Sequence, residues 1–295
     1  MKINNMQGAI IVNKSTNMTS RDVINILNKE FNTKAIGHIG TLDPLAQGVL
    51  VCLIGKYTKL TDVLVNHDKE YIASFKLGIL TDTLDITGKV LKEEKINIPK
   101  EQIKEIVESF KGTYNQEVPI YSAVKVGGKK LYEYARSNIK ITPPSKEVEI
   151  YSLTLLEGPK YLKDTIEFKI KCKVSKGTYI RSLIRDIAYS LNTYGTMKSL
   201  VRTKQGSFSL DKAYTLEDIQ NNNYKLLTIR EVLPSIKVTE IKDDLLKKVQ
   251  NGMPLPSFFS ANMSLLVDSK GREIAIYKKE GNIVKPYKMI EVNNE

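Results

Sequence analysis

One short stretch of the sequence surrounds a single carboxylate with backbone of unusual composition. Residues 37–50, GHIGTLDPLAQGVL, combine three glycines and one of the chain's two histidines with Asp43, which directly precedes Pro44. An Asp-Pro pair is most often a turn in which the carboxylate accepts a nearby backbone N–H. Glycines also allow a ligand to approach the backbone closely, and a carboxylate can act as a nucleophile. Asp43 is therefore a candidate catalytic group.

The other common catalytic arrangements are missing from the sequence. His38 and His67 are the only histidines, and neither has a second His or Cys at the spacing of metal ligands. A magnesium site made of carboxylates alone stays open. No GxSxG, P-loop, GxGxxG, HExxH or CxxC pattern occurs. Asp43 remains as the clearest candidate nucleophile.

The charge of the chain points to a polyanionic partner. Lys and Arg number 45 against 33 Asp and Glu, which gives a formal net charge of +12. Residues 111–146 hold seven basic residues against two acids, with tyrosines between them, and residues 169–204 hold nine against one. Cations interleaved with aromatic rings suit RNA, whose phosphates and unstacked bases they contact. The alternative is two solvated lysine-rich faces that bind nothing.

The sequence also favours the cytosol. No stretch reaches the eighteen consecutive apolar residues of a membrane helix, and the N-terminus lacks the apolar centre of a signal peptide. Cys52 and Cys172 lie far apart inside apolar or alternating segments, so we expect two reduced thiols in the core.

Regular elements must position Asp43 and its partners. The strand GAIIVNK precedes a helix that we expect to start with Ser20 as its N-cap and to end near Phe31. From Tyr71, the period of two in YIASFKLG predicts a strand with Tyr71 on its apolar side. After a second alternating strand, Ile166 to Val174, the turn SKGT leads into an apolar-striped helix with Arg181 in its first turn. A cation there opposes the helix dipole, which hints at a functional role.

The overall pattern predicts an α+β protein with two parts. Strands and helices intermix without regular βαβ alternation, which favours a mixed, mainly antiparallel sheet with flanking helices. Residues 112–146, broken by glycines and prolines, predict a long excursion from the core. Beyond Pro234, turns between alternating runs predict a small β module. We expect a main domain over residues 1–234 and the small module over residues 235–295.

Several motifs together resemble the TruB family of tRNA pseudouridine synthases. The segment GHIGTLDPLAQGVL is close to that family's G-H-x-G-T-L-D-P-x-A-x-G-x-L. The segments KEYIASFKLGILTDTLDITG, PIYSAVKVGGKKLYEYAR, SKGTYIRSLIRDIA and LVRTKQGSFSL follow in the family's order. The family's usual K-P-x-G-x-T-S is KSTNMTS here, and its Pro-Pro before Tyr-Ser-Ala is Val118-Pro119. The likeness covers roughly residues 7 to 220, and these departures concern loops rather than Asp43.

The resemblance implies a pseudouridine synthase fold and assigns roles to individual residues. It implies that Asp43 attacks the target uridine, at C1′ of the ribose or C6 of the base, so that the uracil detaches, rotates and rejoins through carbon. Arg181 matches the arginine that pairs with this aspartate. Tyr71 matches the tyrosine that stacks on the base and assists proton removal at C5. From its strand pattern alone, Tyr71 would equally be a core tyrosine with a bonded hydroxyl.

The family also implies substrate-binding positions and the absence of a cofactor. Tyr179 and Leu200 match residues that line the uracil pocket, and His38 matches one that touches RNA beside the extruded nucleotide. Lys14 and Arg202 match residues that support the site or bind phosphates. Neither metal nor organic cofactor takes part in the family's reaction. Without the resemblance, the sequence pattern predicts that Leu200 is a core residue and that His38 lies in a turn.

The resemblance further predicts the partner and the roles of the accessory parts. The expected substrate is uridine 55 in the T arm of tRNA, bound by a monomer with no protein partner. Residues 112–146 would be an insertion that grips RNA, and residues 235–295 a PUA-like RNA-binding domain, or otherwise a stabilising β appendage. Two alternatives remain: a pseudouridine synthase for another RNA, and a tRNA-folding chaperone without chemistry.

Overall fold

The computed structural model describes residues 6–65 and 68–291, and His67 lies outside these residues. This part of the chain contains eighteen β-strands and eight α-helices. The strands are β1 (Gly8–Lys14), β2 (Ile36–Ile39), β3 (Gln47–Ile54), β4 (Lys69–Leu77), β5 (Ile79–Thr81), β6 (Val90–Glu93), β7 (Gly112–Glu117), β8 (Lys125–Val126), β9 (Lys129–Lys130), β10 (Ser145–Tyr161), β11 (Ile166–Val174), β12 (Gly195–Gln205), β13 (Phe208–Ser209), β14 (Lys237–Glu240), β15 (Leu255–Pro256), β16 (Met263–Val267), β17 (Glu273–Glu280) and β18 (Ile283–Met289). The helices are α1 (Ser20–Glu30), α2 (Thr61–Leu64), α3 (Lys100–Ser109), α4 (Leu131–Arg136), α5 (Ile180–Ser190), α6 (Leu216–Gln220), α7 (Ile229–Val232) and α8 (Asp243–Gln250).

A mixed, mainly antiparallel sheet in the order β1-β3-β12-β4-β11-β10-β7 forms the main domain, as the sequence predicts. Strand β3 has two neighbours along one edge. Its first residues pair in parallel with β12, and its last residues pair with β2. Both β2 and β12 pair with this edge of β3, and the loop that joins β2 to β3 lies next to the short segment where β3 pairs with β12. Residues 40–46, with Asp43, form that loop.

The apolar face of the sheet is covered by helices. Strands β4 and β11 alternate buried and more exposed residues with the predicted period of two. Helices α1, α3 and α5 contribute apolar side chains to the same core as β4 and β11. Helix α5 lies against β12, with its N-terminus at the end of the sheet near the Asp43 loop.

The face of β11 opposite the core carries ion-paired lysines. Lys169, Lys171 and Lys173 alternate with core residues as predicted, but each lies within 2.5–3.4 Å of a carboxylate on a neighbouring segment. Lys198 on β12 likewise pairs with Glu167 at 2.7 Å. These lysines stand on the face away from Tyr71, since period two sends alternate residues to opposite sides. They form an ion-paired, partly exposed surface.

Helix α1 begins one residue earlier than its sequence suggests. Thr19 is the N-cap: its side chain accepts from the Asp22 N–H, and the Asp22 carboxylate accepts from the Thr19 N–H. Ser20 is the first helical residue, and its buried hydroxyl instead bonds both backbone groups of Leu42, at 2.9 and 3.2 Å. The serine predicted to cap the helix therefore fixes the loop that carries Asp43.

The excursion from the sheet is shorter than the predicted residues 112–146. Residues Gly112–Glu117 form edge strand β7, which pairs with the first residues of β10 from Ser145. Alternation is weak in this stretch because an edge strand buries little, and only Gln116 is fully buried in it. The insertion proper is residues 118–144. It contains the β8–β9 hairpin and helix α4, and Leu131 anchors it as a buried residue.

Strands β14 to β18 form the small β module that the sequence predicts, with α8 packed on β17. A hydrophobic cluster joins it to the outer face of β1 and β3. At this interface the Tyr57 hydroxyl donates to the Glu273 carboxylate, and the Ile229 N–H donates to both groups. Asp62 accepts from Lys288 at 2.8 Å and from Tyr287 at 3.2 Å. The module thus docks on the main domain through apolar and polar contacts.

The remaining composition-based expectations concern the cysteines and membrane spans. Cys52 and Cys172 are free and fully buried, as expected. Burial raises the pKa of the Cys172 thiol to about 12, so it stays protonated at neutral pH. None of the described helices is long and apolar enough to cross a membrane.

Candidate active site

A cavity of about 460 Å³ opens where the Asp43 loop, the ends of β4 and β12, and the N-terminus of α5 meet. Its volume falls within the range of small-molecule sites. It is lined by Gly40, Thr41, Leu42, Asp43, Val65, Lys69, Tyr71, Tyr121, Ser122, Ala123, Tyr132, Lys176, Gly177, Thr178, Tyr179, Ile180, Arg181, Leu200 and Arg202. The cavity brings together six of the eight predicted site residues: Asp43, Tyr71, Tyr179, Arg181, Leu200 and Arg202.

Asp43 and Arg181 form an ion pair inside this cavity. The Arg181 Nε lies 2.9 Å from the Asp43 Oδ2, although the two residues are far apart in sequence. The Arg181 side chain is 6% exposed and that of Asp43 is 40% exposed. The guanidinium is therefore held inside the protein while part of the carboxylate stays open to the cavity. This is the arrangement a nucleophile or acid–base group requires.

Arg181 is fixed by contacts beyond the carboxylate. Its Nη1 donates to the Thr83 carbonyl at 2.9 Å and its Nη2 to the Tyr121 carbonyl at 3.1 Å. Thr83 stands in a turn organised by Asp85, whose carboxylate accepts from Thr83 Oγ1 and from Thr87. The three contacts use both edges of the planar guanidinium fork. They offset the unfavourable position of a cation in the first turn of α5.

Two buried cations, Arg202 and Lys14, hold the backbone of the Asp43 loop. Arg202 donates from Nη2 to the Gly40 carbonyl at 2.6 Å and from Nε to the Val49 carbonyl at 2.7 Å. A Cβ on Gly48 would collide with the Arg202 backbone, so only glycine fits where β3 meets β12. Lys14 donates to the carbonyls of Ser15 and Met18 at 2.9 and 2.7 Å, and lies 3.4 Å from the Pro44 carbonyl.

These positions narrow the roles expected of Lys14 and Arg202. Lys14 is 0% exposed and does not line the cavity, whereas Arg202 is 1% exposed and reaches the cavity wall. The described contacts of Lys14 are all with backbone carbonyls around the Asp43 loop. They agree with a role in supporting the site rather than in binding phosphate. Burial lowers the pKa of Lys14 to about 8, although the nearby Asp43 raises it. The physical reason for its burial is the cluster of carbonyl oxygens around its ammonium group.

Tyr71 and Leu200 line the same cavity as Asp43. Strand register places Arg202 beside Tyr71 and Leu200 beside Ala73, on adjacent strands β12 and β4. Burial raises the pKa of Tyr71, while the neighbouring Arg202 opposes this shift. The phenol is therefore protonated at neutral pH, and the side chain lines the cavity. Leu200, which its sequence pattern alone assigned to the core, is 6% exposed and reaches the same cavity.

Tyr179 is the N-cap residue of α5 and lines the cavity. Its backbone N–H donates to the Gln116 Oε1 at 2.7 Å, which connects the start of the helix to edge strand β7. Burial raises the pKa of the Tyr179 phenol. Tyr179 and Arg181 thus enter the cavity from the same helix terminus.

His38 stands at the edge of the site rather than in it. It lies on β2, is half-buried, and its Nε2 is 3.3 Å from Oγ1 of Thr41, which lines the cavity. Burial and the nearby Arg21 and Arg202 lower its pKa, so the ring is neutral at pH 7. The side chain does not contribute to the described lining of the cavity. A contact with RNA outside the cavity is compatible with this position.

Several lining residues escaped the sequence analysis. Lys69 and Lys176 reach the cavity, and Tyr121, Ser122 and Tyr132 come from the insertion. Lys69 shares the alternation of β4 with Tyr71, so the strand pattern held a signal for it. The insertion residues lie in an irregular segment, where no periodic pattern indicates direction. Among the described residues, no group of three or more His, Cys, Asp and Glu side chains is arranged to hold a metal ion.

Two family models match the chain. The first, described as "TruB family pseudouridylate synthase (N terminal domain)", covers residues 28–180. The second, described as "tRNA pseudouridylate synthase B C-terminal domain", covers residues 181–236. The small β module from β14 onward lies beyond both matches.

Curated proteins resemble the chain over nearly its full length. A protein named tRNA pseudouridine synthase B from Bacillus pumilus is 36% identical, over 98% of this chain and 99% of its own. One of the same name from Mesoplasma florum is 38% identical, over 95% of this chain and 97% of its own. Among solved structures, a Cbf5-Nop10-Gar1 complex contains a chain with a TM-score of 0.67 at 22% identity, over 97% of this chain and 85% of that one. At that identity the structural match concerns the fold.

Proposed function

Because the chain belongs to the TruB family of pseudouridylate synthases, we propose that it isomerises uridine 55 in the T arm of tRNA, with Asp43 as nucleophile. The enzyme is a tRNA pseudouridine synthase, an isomerase. The observation that carries the role of Asp43 is its ion pair with the buried Arg181 at 2.9 Å inside the cavity. No other carboxylate lines the described cavity.

The reaction exchanges one bond of uracil for another. Attack by the Asp43 carboxylate, on C1′ of the ribose or on C6 of the base, leads to cleavage of the N1–C1′ bond. The detached uracil turns, and its C5 bonds to C1′. The C5 proton is then lost, N1 gains a proton and the carboxylate is regenerated, so atoms balance without an external reactant. Arg181 directs the carboxylate and stabilises its charge before and after the attack.

The cavity has the size and walls for one extruded nucleotide. A uridine inside a folded arm hides its reacting atoms, so it must leave the stack at a cost of a few kcal/mol. The Tyr71 ring offers a surface on which the flipped base stacks, with Leu200 and Tyr179 beside it. Burial raises the pKa of Tyr71, so its phenol can accept the C5 proton only after releasing its own.

The insertion and the charge of the chain support tRNA as the ligand. Exposed Lys125, Lys129 and Lys140 stand on residues 118–144, whose Tyr121 and Tyr132 line the cavity. Phosphate contacts there would offset the cost of base extrusion. We infer a monomer that needs no protein partner or cofactor, with the docked C-terminal module as a PUA-like contact for tRNA. A cytoplasmic location follows from this substrate.

A direct test uses the purified protein and an unmodified tRNA transcript. Mapping pseudouridine by chemical sequencing should show conversion at position 55 alone. Asp43→Asn should reduce conversion to a residual rate that only single-turnover assays detect, and it should retain tRNA binding, because the amide keeps the shape but not the nucleophile. Modification elsewhere would favour the alternative of a different RNA target. Undiminished conversion by Asp43→Asn, or tRNA folding without any conversion by the wild type, would overturn the proposal.

A further inference from the structure

Lys69 is a buried cation that the proposed chemistry does not use. It is the first residue of β4, it is 8% exposed, and it lines the cavity that holds Asp43. Lys69 and Tyr71 are two positions apart on one strand, so their side chains point to the same side, roughly 6.6 Å apart along β4. A charged group beside Tyr71, on whose ring the base is proposed to stack, is placed to contact the substrate itself.

Other cations converge on the same end of the cavity. Lys69 pairs with Val174 on β11, and two residues later Lys176 turns the chain toward α5 and lines the cavity. Lys146 packs against this turn, with its Nζ 3.4 Å from the Lys176 carbonyl. On the other side of β4, Arg202 also reaches the cavity wall. Residues of β4, β10 and β12 and of the turn after β11 thus bring positive charge to one end of the site.

The charge balance at this end favours an anion. Burial, together with the nearby Arg202, Lys176 and Lys146, lowers the pKa of Lys69 to about 8, whereas Asp68 opposes this shift. Asp68 also lies 3.4 Å from Lys173. Assembling like charges in a half-enclosed space costs free energy that an incoming anion would recover.

We propose that Lys69 and Lys176 bind a backbone phosphate that flanks the extruded uridine, and so hold the nucleotide while its base stacks on Tyr71. This subsite rests on the proposed function, since it gives the same cavity a second contact with the same substrate. Lys69 is a binding residue here, and Asp43 alone performs the attack. The anion is a phosphodiester of the RNA, because the cationic end continues directly into the space that receives the base.

Single neutral linkages in the substrate provide the test. An unmodified T-arm stem-loop is prepared with one methylphosphonate on the 5′ side of the target uridine, on its 3′ side, or several nucleotides away. With the wild type, neutralising one flanking linkage should lower kcat/KM about tenfold, as expected for a lost charge-assisted hydrogen bond. With Lys69→Met, the normal substrate should lose about the same factor, and the same neutral linkage should cause no further loss.

Two variants and a stability measurement complete the experiment. Lys69→Arg should retain most of the activity and the sensitivity to the linkage, and Lys173→Met, on the ion-paired face, should behave as the wild type. Lys69→Met should melt at or above the wild-type temperature, because a buried charge has been removed. The subsite would be overturned if each flanking neutral linkage lowered kcat/KM by the same factor in Lys69→Met as in the wild type. Wild-type kinetics of Lys69→Met on the normal substrate would overturn it as well. If the wild type forms no pseudouridine at all, the proposed function fails, and the same cycle measured on stem-loop affinity still decides the phosphate contact.

Discussion

The Gln116 side chain accepts a hydrogen bond from the Tyr179 backbone N–H at 2.7 Å and thereby joins β7 to the first turn of α5. Its amide nitrogen donates to the Tyr114 hydroxyl at 2.6 Å, so the side chain is held at both ends. One turn further along α5, Ser182 donates to the Glu117 carbonyl at 2.8 Å. The strand that leads into the insertion therefore also fixes the helix that presents Arg181. Gln116 is a positioning residue for the ion pair.

Replacing Gln116 should reduce turnover rather than tRNA binding. Gln116→Leu leaves the Tyr179 N–H without its partner, at a cost of about 1 kcal/mol or more. The Tyr114 hydroxyl loses the donor Gln116 but still donates to Asp186 at 3.3 Å. We expect at least a roughly fivefold lower kcat, because misplacement of Arg181 acts on the transition state. Gln102→Leu, at an exposed position of α3, is the matched control. Single-turnover rates and filter binding separate the two effects, and a variant with weaker binding but normal kcat would contradict the positioning role.

Arg181 should resist even a conservative replacement. A lysine carries the charge but cannot reach Asp43, the Thr83 carbonyl and the Tyr121 carbonyl together. We expect Arg181→Lys to lose about 2 kcal/mol of transition-state stabilisation, roughly thirtyfold in kcat. The double variant with Asp43→Asn should be no slower than Asp43→Asn alone, because both act on one attacking group. Additive losses in single-turnover assays would show that Arg181 acts independently of Asp43.

Periodic segments allowed much of the fold to be predicted, and the ion pair needed only one further clue. The alternation of β4 and β11 and the apolar stripe of α5 fix which sides face the core, so they place Tyr71 and Arg181 on the correct face. A cation in the first turn of a helix marked Arg181 as unusual. The motif resemblance connected Arg181 to Asp43. The separation of 2.9 Å between Arg181 Nε and Asp43 Oδ2 agrees with that connection.

Long-range polar contacts could not be predicted from the sequence. The local sequence around Ser20 is the same whether its hydroxyl caps α1 or bonds Leu42. Which of the two contacts forms depends on the position of the Asp43 loop in the folded protein. Lys169 alternates in the same way whether it binds RNA or pairs with Glu157, which lies on the neighbouring strand. Such choices depend on which segments become neighbours in the sheet, and one-dimensional patterns carry no information about that.

The burial of Lys14 predicts a pH dependence of stability with a definite sign. Its pKa is about 8 in the folded protein, against 10.5 for an ordinary solvated lysine. Between these values the unfolded chain holds a proton that the folded chain has released. The free energy of unfolding therefore increases as pH rises from about 8 to 10.5, because the cost of burying the charged ammonium group disappears. Below pH 8 the contribution is constant, since both states are protonated.

Urea unfolding of the wild type and of Lys14→Met measures this contribution as a difference. We expect the free energy of unfolding of the wild type, relative to the variant, to be level below about pH 7.5 and to rise toward pH 10. Taking the difference cancels the tyrosines and cysteines that titrate in the same range. A difference that falls or stays level from pH 8 to 10 would mean that the ammonium group is not buried in solution.

The basic residues of the insertion and those of β11 should respond differently to substitution. Lys125, Lys129 and Lys140 are exposed on residues 118–144, whereas Lys169, Lys171 and Lys173 each face a carboxylate within 2.5–3.4 Å. Replacing the first three by alanine should weaken tRNA binding and reduce the slope of log K against log salt concentration by about 2, because each phosphate contact contributes roughly 0.7–0.9. The same replacement on β11 should leave the slope within experimental error, since those lysines are already neutralised. Filter binding with unmodified tRNA over a series of salt concentrations compares the two triple variants. Equal slopes for both would assign tRNA binding to the total charge of the chain, and a larger change for the β11 variant would place the contact on the opposite face of the sheet.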